Sequence, residues 1–180
     1  MKKIFLILHN IRSLHNVGSI FRTADTAGVS KMYLTGYTPA PLDIFGKTRK
    51  EIVKTALGAE KYVAWEKQKN IGRLIIKLKN NGVFVSAVEQ SKNSIDYREF
   101  GSVRADRIKF PAALILGNEV RGLSEQILKK CDAVIEIPVK GKMVRQAGHP
   151  KNRSLRQRRG KESLNVAVAA GIILFKILEN

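Results

Sequence analysis

The chain has 180 residues, 44% of them hydrophobic, and a net charge of +18 from 33 Lys and Arg against 15 Asp and Glu. This length suffices for one buried core but leaves little room for two full-sized domains, so a single domain over residues 1–180 is expected. The excess positive charge indicates a polyanionic partner. Nucleic acid is favoured over a membrane surface, because no basic amphipathic helix with an apolar underside is evident.

Short apolar runs, rich in β-branched residues, alternate with helical patterns along the chain. The predicted strands cover residues 4–8, 32–35, 83–88, 112–116 and 134–137, with a short edge strand at 62–65. The predicted helices cover residues 17–27, 47–57, 71–80, 124–130 and 163–178, with Gly28 and Gly82 as C-terminal caps. The alternation predicts an α/β fold around a mostly parallel sheet.

Neither apolar end of the chain is predicted to enter a membrane. The run at 4–8 stops at His9 without a small-residue cleavage site, so it is interpreted as a buried strand and not as a secretory signal. The run at 164–178 is interrupted by Asn165 and is shorter than the roughly 20 residues that a span requires. Cys131, the single cysteine, cannot form an internal disulfide, which fits a reducing compartment. We therefore expect a cytoplasmic protein.

The motifs of several common sites are missing. The sequence contains neither the Gly-rich fingerprint of a dinucleotide site nor a P-loop. His9, His15 and His149, with one cysteine, do not form a ligand set at a recognised spacing, so no metal is expected. No Ser-His-Asp or Cys-His arrangement has support either.

One segment departs from the α/β pattern. Residues 140–161 contain nine Lys or Arg and no acidic residue, which is half of the net charge of +18, and they show almost no apolar periodicity. This composition predicts a solvated loop that becomes ordered when an anion binds it. An insert without a role is the alternative.

Three stretches with polar or glycine residues follow predicted strands, where open α/β sheets bind their ligands. The first opens a helix at Asn16, and its Arg22 lies opposite the apolar face; a helix cap and a solvated arginine are the ordinary alternatives. The second, residues 116–122, places two glycines around polar residues, which is typical of a tight turn near a ligand. The third joins Ile137 to a small-residue helix in which Asn165 is the unusual amide.

Together these stretches resemble the three motifs of the SpoU/TrmH-like branch of the SPOUT RNA methyltransferases, in the same order. The matching patterns are N-x-G-x-x-x-R from Asn16 to Arg22, L-G-N-E-x-x-G from Leu116 to Gly122, and I-P-V followed by S-L-N-V-A-V-A-A from Ser163. The long basic segment at 140–161 departs from the family, whose members usually connect the last two patterns with a few residues.

The resemblance implies a five- to six-stranded, mostly parallel sheet with helices on both faces and a deep trefoil knot near the C-terminus. It implies a homodimer that uses S-adenosylmethionine to methylate a ribose 2′-hydroxyl of tRNA or rRNA. In this sequence the catalytic group would be Arg22, Asn16 and Glu119. The cofactor-binding group would be Ala87, Val88, Glu89, Leu116, Gly117, Asn118, Ile137, Ser163, Leu164 and Asn165.

RNA contacts are expected from basic side chains beside these motifs and in the basic segment. They are Arg12, Arg121, Arg145, Lys151, Arg153, Arg156, Arg158 and Arg159. Two alternatives stay open: an RNA-binding protein that has kept the fold but lost catalysis, and a small-molecule enzyme of flavodoxin-like fold. The retained motif residues favour an enzyme, and the charge of +18 disfavours the small-molecule reading.

Overall fold

A seven-stranded parallel sheet forms the centre of the molecule. The computed structural model describes residues 2–99, 109–139 and 164–179. The strands are β1 (Ile4–His9), β2 (Lys31–Thr35), β3 (Trp65–Gln68), β4 (Phe84–Val88), β5 (Ile95–Asp96), β6 (Ala112–Leu116) and β7 (Ala133–Glu136). Their order across the sheet is β3-β2-β1-β6-β4-β7-β5, and every pair is parallel.

Helices cover both faces of the sheet, as predicted. They are α1 (Leu14–Thr26), α2 (Lys50–Ala56), α3 (Ala59–Tyr62), α4 (Ile71–Asn80), α5 (Glu125–Leu128) and α6 (Val166–Glu179). Alternate side chains of β1 supply two separate cores: Ile4, Leu6 and Leu8 pack with α1, α2, α3 and α6, whereas Ile7 packs with α4 and α5. The almost uniformly apolar β6 is buried along its whole length, as expected for a central parallel strand.

The predicted helix caps are present. Gly28 and Gly82 both adopt left-handed backbone, with φ of 67° and 73°. After Gly82, the Val83 amide donates to the Leu78 carbonyl, which closes the end of α4. At its start, α4 is capped by Asn70, whose Oδ1 accepts from the Arg73 amide at 3.0 Å.

Several element boundaries differ from the sequence-based prediction. The predicted helix 47–57 is shorter, since α2 covers Lys50–Ala56, and the separate helix α3 follows it because Leu57 and Gly58 both adopt positive φ, 53° and 95°. The predicted edge strand at 62–65 is displaced, since Tyr62 ends α3 and the strand begins at Trp65. The sheet has seven strands because β3 and the two-residue β5 lie at its edges, where no continuous apolar run is required.

Residues 140–163, over which the predicted knot crossing and the basic loop extend, lie outside the described residues. The knot, the single-domain extent and the loop therefore stay predictions. Within the described ranges, no helix is long and apolar enough to cross a membrane.

Candidate active site

The carboxyl ends of β1 and β6 lie side by side at the point where the order of strands across the sheet changes direction. The segment after β1 continues into α1, and the segment after β6 forms a turn at residues 117–122. Since β1 and β6 are paired neighbours, these two segments face each other across the crevice in which α/β sheets bind ligands.

Three side chains from the three predicted motifs form a hydrogen-bonded chain. Asn16 donates from Nδ2 to Glu119 Oε1 at 3.1 Å, and its Oδ1 accepts from Asn165 Nδ2 at 3.1 Å. Asn16 does not cap its helix, because Ser13 is the N-cap and accepts from the Asn16 amide. The Asn16 amide group is thus oriented on both sides, and Asn165 also accepts from the Ala167 amide at the start of α6.

Asn118 holds the turn after β6 in shape. Its Oδ1 accepts from the amides of Val120 and Arg121 at 3.0 and 2.8 Å. Its Nδ2 donates to the Asn10 carbonyl at 3.0 Å and to the Tyr37 hydroxyl at 2.8 Å. One side chain therefore links the turn to the segments that follow β1 and β2.

Glu89 closes the other side of the same turn. Its Oε2 accepts from the Leu123 amide at 2.8 Å, and its Oε1 accepts from the Gln90 amide at 3.1 Å. A Cβ at Gly122, where φ is 64°, would lie 2.1 Å from Glu89 Oε2. The second glycine of the motif is therefore required both by its backbone conformation and by the close approach of this carboxylate.

A cleft of about 740 Å³, including its open mouth, lies between the ends of β4, β6 and β7 and the start of α6. Seven of the ten predicted cofactor residues line it: Val88, Glu89, Leu116, Gly117, Asn118, Ile137 and Leu164. Ala87 is fully buried beneath the cleft, Asn165 is nearby in the hydrogen-bonded chain, and Ser163 lies outside the described residues.

Other cleft residues were missed by sequence reasoning. They are Gln90, Val120, Gly122, Glu136, Val139, Val166 and Ala169. Five of them lie inside the three matched motifs and were not assigned a role, whereas Gln90 and Glu136 are immediate neighbours of the predicted residues Glu89 and Ile137. Glu136 precedes Ile137, and with Glu89 and Glu119 it gives the cleft three carboxylates in a chain of net charge +18.

His9, at the end of β1, was considered in the sequence only as a possible metal ligand. Its Nε2 lies 3.0 Å from Asn10 Nδ2, an obligatory donor, so Nε2 is the acceptor and Nδ1 carries the proton toward Thr35 Oγ1 at 2.8 Å. Burial lowers the pKa of His9. The imidazole is therefore neutral near pH 7 and helps to orient Asn10.

Arg22 is exposed on α1, apart from the chain of Asn16, Glu119 and Asn165. It is six residues beyond Asn16, which corresponds to about 9 Å along the helix and about 120° around it. Within the described residues its guanidinium has no hydrogen-bond partner. The structure thus brings Asn16 and Glu119 together, and places Arg22 away from them in the same protomer.

The predicted RNA-binding arginines divide into two groups. Arg12 and Arg121 are exposed beside the crevice, and the Arg12 amide lies 3.5 Å from Glu119 Oε2. The other six lie outside the described residues: Arg145, Lys151, Arg153, Arg156, Arg158 and Arg159.

Metal and thiol chemistry find no support in the part of the chain that is described. No group of three or more His, Cys, Asp or Glu residues is arranged to hold a metal there. Burial, with a smaller effect of the neighbouring Asp132, raises the pKa of the Cys131 thiol to about 11. Cys131 is therefore a protonated thiol at neutral pH and a poor nucleophile.

Comparison with known proteins agrees with this arrangement. The sequence model of the SpoU rRNA Methylase family matches residues 3–145. The chain belongs to this family. It is similar to the tRNA (guanosine(18)-2′-O)-methyltransferase of Aquifex aeolicus, with 31% identity over 97% of this chain and 68% of that protein.

Solved structures show the same fold. The TrmH/SpoU tRNA modifying enzyme of A. aeolicus is 28% identical, with a TM-score of 0.74 over 99% of this chain and 75% of that one. The AdoMet-bound rRNA methyltransferase of Sinorhizobium meliloti is 26% identical, with a TM-score of 0.75 over 99% of this chain and 57% of that one. The chain likewise spans 57% of the length of TrmH family proteins of Staphylococcus saprophyticus and Bacillus subtilis.

Proposed function

We propose that this SpoU family chain is an S-adenosylmethionine-dependent methyltransferase that acts on a ribose 2′-hydroxyl of tRNA or rRNA. The observation that carries the proposal is the Asn16–Glu119 hydrogen bond, which joins the first two motifs beside the cleft at the strand ends. The similar A. aeolicus protein is named for 2′-O-methylation of a tRNA guanosine, and the similar S. meliloti structure holds AdoMet.

The cleft fits the proposed methyl donor. Val88, Leu116, Ile137 and Leu164 provide apolar walls for an adenine ring, while its three carboxylates favour a ligand that carries positive charge. Backbone groups of the turn after β6 and of residues 137–139 complete the lining. S-adenosylmethionine supplies an activated methyl group on a sulfonium, so the transfer requires neither a metal nor a covalent enzyme intermediate.

The chain's own residues contribute position and charge. Asn16 and Glu119 orient the acceptor nucleotide, and Arg22 binds its phosphate and ribose. A guanidinium stays protonated at neutral pH, so Arg22 is not assigned as the general base. The hydroxyl proton passes instead to a phosphate oxygen or to water.

A homodimer would bring Arg22 to a complete site. Since Arg22 lies on another side of α1 from Asn16, a second protomer packed beside α1 and α6 would place the partner's copy of this arginine at the crevice. The apolar side chains of Val168 and Phe175 are exposed along α6, which supports such packing.

The dimer is tested by light scattering and by mixing variants. Val168→Glu is expected to yield monomers without methyl transfer, whereas Ile76→Glu, on the exposed face of α4, leaves the dimer intact. Equimolar mixing of inactive Asn16→Ala and inactive Arg22→Ala chains should create one wild-type site in each heterodimer, and therefore about a quarter of wild-type activity when about half of the dimers are heterodimers. No restoration after verified subunit exchange contradicts a shared site.

The basic segment 140–161 is proposed to bind the RNA backbone. Each lost phosphate contact lowers the slope of log affinity against log salt by about 0.7 to 0.9. Deletion of residues 141–160 is therefore expected to flatten this slope by several units. An unchanged slope contradicts the proposal. Together with the reducing compartment indicated by the single cysteine, RNA as substrate supports a cytoplasmic location.

Calorimetry with S-adenosylmethionine and transfer of a labelled methyl group to RNA test the function itself. Asn16→Ala, which is outside the cleft lining, is expected to retain most of the cofactor affinity and to lose transfer, whereas Glu125→Ala, at the exposed start of α5, retains both. RNA binding without heat from S-adenosylmethionine would instead identify a non-catalytic RNA-binding protein.

A further inference from the structure

A second pocket lies on the opposite side of the turn after β6 from the cofactor cleft. It is formed between the loop that follows β2, residues 36–49, and β3, and its cavity volume is about 680 Å³. This is ample for one nucleotide. None of the three family motifs includes this loop.

Three cations surround the pocket. Arg12, Arg49 and Lys67 line it together with a single acid among the described residues, Asp43. The Asp43 Oδ1 already accepts from the amides of Phe45 and Lys47 at 2.9 and 2.8 Å. The pocket therefore has net positive charge, and its one carboxylate is engaged by the loop backbone.

Arg49 has a buried donor that lacks a partner among the described residues. Its Nε is buried and makes no hydrogen bond with any described residue. Lys67, in contrast, donates from Nζ to the carbonyls of Gly36 and Thr38, the former at 2.8 Å, and so holds the loop against β3. A buried guanidinium nitrogen without an acceptor is the group that a phosphate would satisfy.

The loop also exposes large apolar side chains beside these cations. Ile44 is 91% exposed and Phe45 is 87% exposed at the tip, and Tyr37 lies at the inner wall. Positive charge next to exposed aromatic and apolar surface is the combination that binds single-stranded nucleic acid, because bases pack on such surfaces while phosphates pair with cations. An apolar peptide would leave Arg49 unpaired.

The pocket is linked directly to the candidate active site. Tyr37 at its wall accepts a hydrogen bond from Asn118, which also lines the cofactor cleft. Arg12 lines the pocket with its side chain, and its amide lies 3.5 Å from Glu119 Oε2. A nucleotide in this pocket would therefore be a near neighbour of a nucleotide at the Asn16–Glu119 pair.

We propose that this pocket binds one unpaired nucleotide that flanks the methylated nucleotide, with its phosphate on Arg49 and Arg12 and its base against Tyr37 and Ile44. This inference rests on the proposed function, since it concerns the RNA that the same site would methylate. It assigns part of the substrate preference to the loop at residues 36–49, and it requires an unpaired base next to the methylation site.

Trp65 provides a specific readout, because it is the chain's only tryptophan and lines the pocket. The full chain is titrated with hexaadenylate RNA while Trp65 emission is recorded, and anisotropy of a labelled copy of the RNA reports total binding. We expect a saturable change in emission. Arg49→Met should raise the Kd about tenfold, as for loss of a charge-assisted hydrogen bond, and lower the salt slope by about 0.7.

Matched variants separate the pocket from general charge effects. Ile44→Glu should weaken the Trp65 response about as strongly as Arg49→Met, whereas Ile76→Glu and Lys77→Met, both on α4, should change it less than twofold. Ile44 and Ile76 are both exposed, so thermal midpoints should stay equal.

Three results would overturn the inference. The first is no change in Trp65 emission at saturating RNA. The second is an effect of the α4 variants as large as that of Arg49→Met and Ile44→Glu. The third is a change in Trp65 emission with a hexaglutamate peptide as large as that with the RNA. Methyl transfer to total tRNA and rRNA is measured on the same preparations. If methyl groups are transferred but Trp65 emission does not change, the pocket proposal alone is refuted. If Trp65 emission changes with RNA and not with the peptide, but no methyl group is transferred, the proposed activity alone is refuted.

Discussion

Exchange of the Asn16 amide for a carboxylate tests the central hydrogen bond with almost no change in shape. In Asn16→Asp, the oxygen that accepts from Asn165 is kept, but the group that donates to Glu119 at 3.1 Å becomes a second carboxylate oxygen. Loss of a charge-assisted hydrogen bond costs about 1.5 to 3 kcal/mol. Repulsion between two charges about 4 Å apart adds up to about 4 kcal/mol at an effective dielectric constant of about 20.

Both side chains are only partly buried, so rotation and proton uptake relieve much of this cost. We expect a net loss of about 2 to 4 kcal/mol in transition-state stabilisation, which is roughly 30- to 1000-fold in kcat/KM. Two adjacent carboxylates raise each other's pKa. The deficit of Asn16→Asp relative to wild type should therefore shrink as the pH falls from about 8 to about 6.

A double-mutant cycle separates this explanation from a simple loss of function. Glu119→Gln combined with Asn16→Asp recreates a donor and an acceptor with the roles exchanged. We expect the double variant to recover at least tenfold in kcat/KM over Asn16→Asp, measured by transfer of a labelled methyl group to RNA, and to recover its thermal midpoint. If the double variant loses the product of the two single effects in both assays, the reasoning is refuted.

Three further variants test other parts of the structure. Gly18→Ala should destabilise the fold by about 2 to 3 kcal/mol, because the added Cβ would lie 2.0 Å from Thr55 Oγ1 and 2.3 Å from the Ile52 carbonyl oxygen. Urea denaturation measures this loss, and an unchanged midpoint would contradict the close packing of α1 on α2. Arg22→Ala should lower kcat/KM at least about 100-fold with an unchanged thermal midpoint, since Arg22 is exposed; full turnover in an intact dimer would remove its assigned role. The pKa of His9 is lower in the folded chain than the ordinary value of about 6.5, so between these two pH values the unfolded chain binds more protons than the folded chain. The contribution of His9 to stability is therefore fully present above about pH 6.5 and falls as the pH decreases. His9→Gln should flatten this pH dependence of the free energy of unfolding, and an unaltered pH profile would contradict it.

The central strands and the motif turns were predictable because their local sequence determines their structure. The continuous apolar run of β6 has no stable location other than the middle of a sheet, and Asn70 and Gly82 mark the ends of α4. From the family resemblance we expected Asn16 and Glu119, which are 103 residues apart in the sequence, to lie close together. Its hydrogen-bond geometry required the structure.

Features that depend on tertiary context were not predictable from the sequence. An edge strand was predicted at residues 62–65, but its position was not, because β3 contains Trp, Glu, Lys and Gln and is a strand through its pairing with β2, not through its own pattern. Leu57 in a left-handed conformation ends α2, and α3 begins at Ala59, where no helix was predicted. The pocket beside Arg49 forms only when the loop after β2 folds against β3, so no motif indicates it.

The most direct test of the central claim is mass spectrometry of nucleosides from RNA incubated with the full chain and S-adenosylmethionine labelled with deuterium in its methyl group. Unmodified tRNA and rRNA transcripts serve as substrates, and Glu119→Ala serves as the control. The account predicts a single labelled 2′-O-methylnucleoside, with the label on the ribose fragment, that is strongly reduced in the control. Label on a base fragment, or no labelled nucleoside in any RNA, would contradict it.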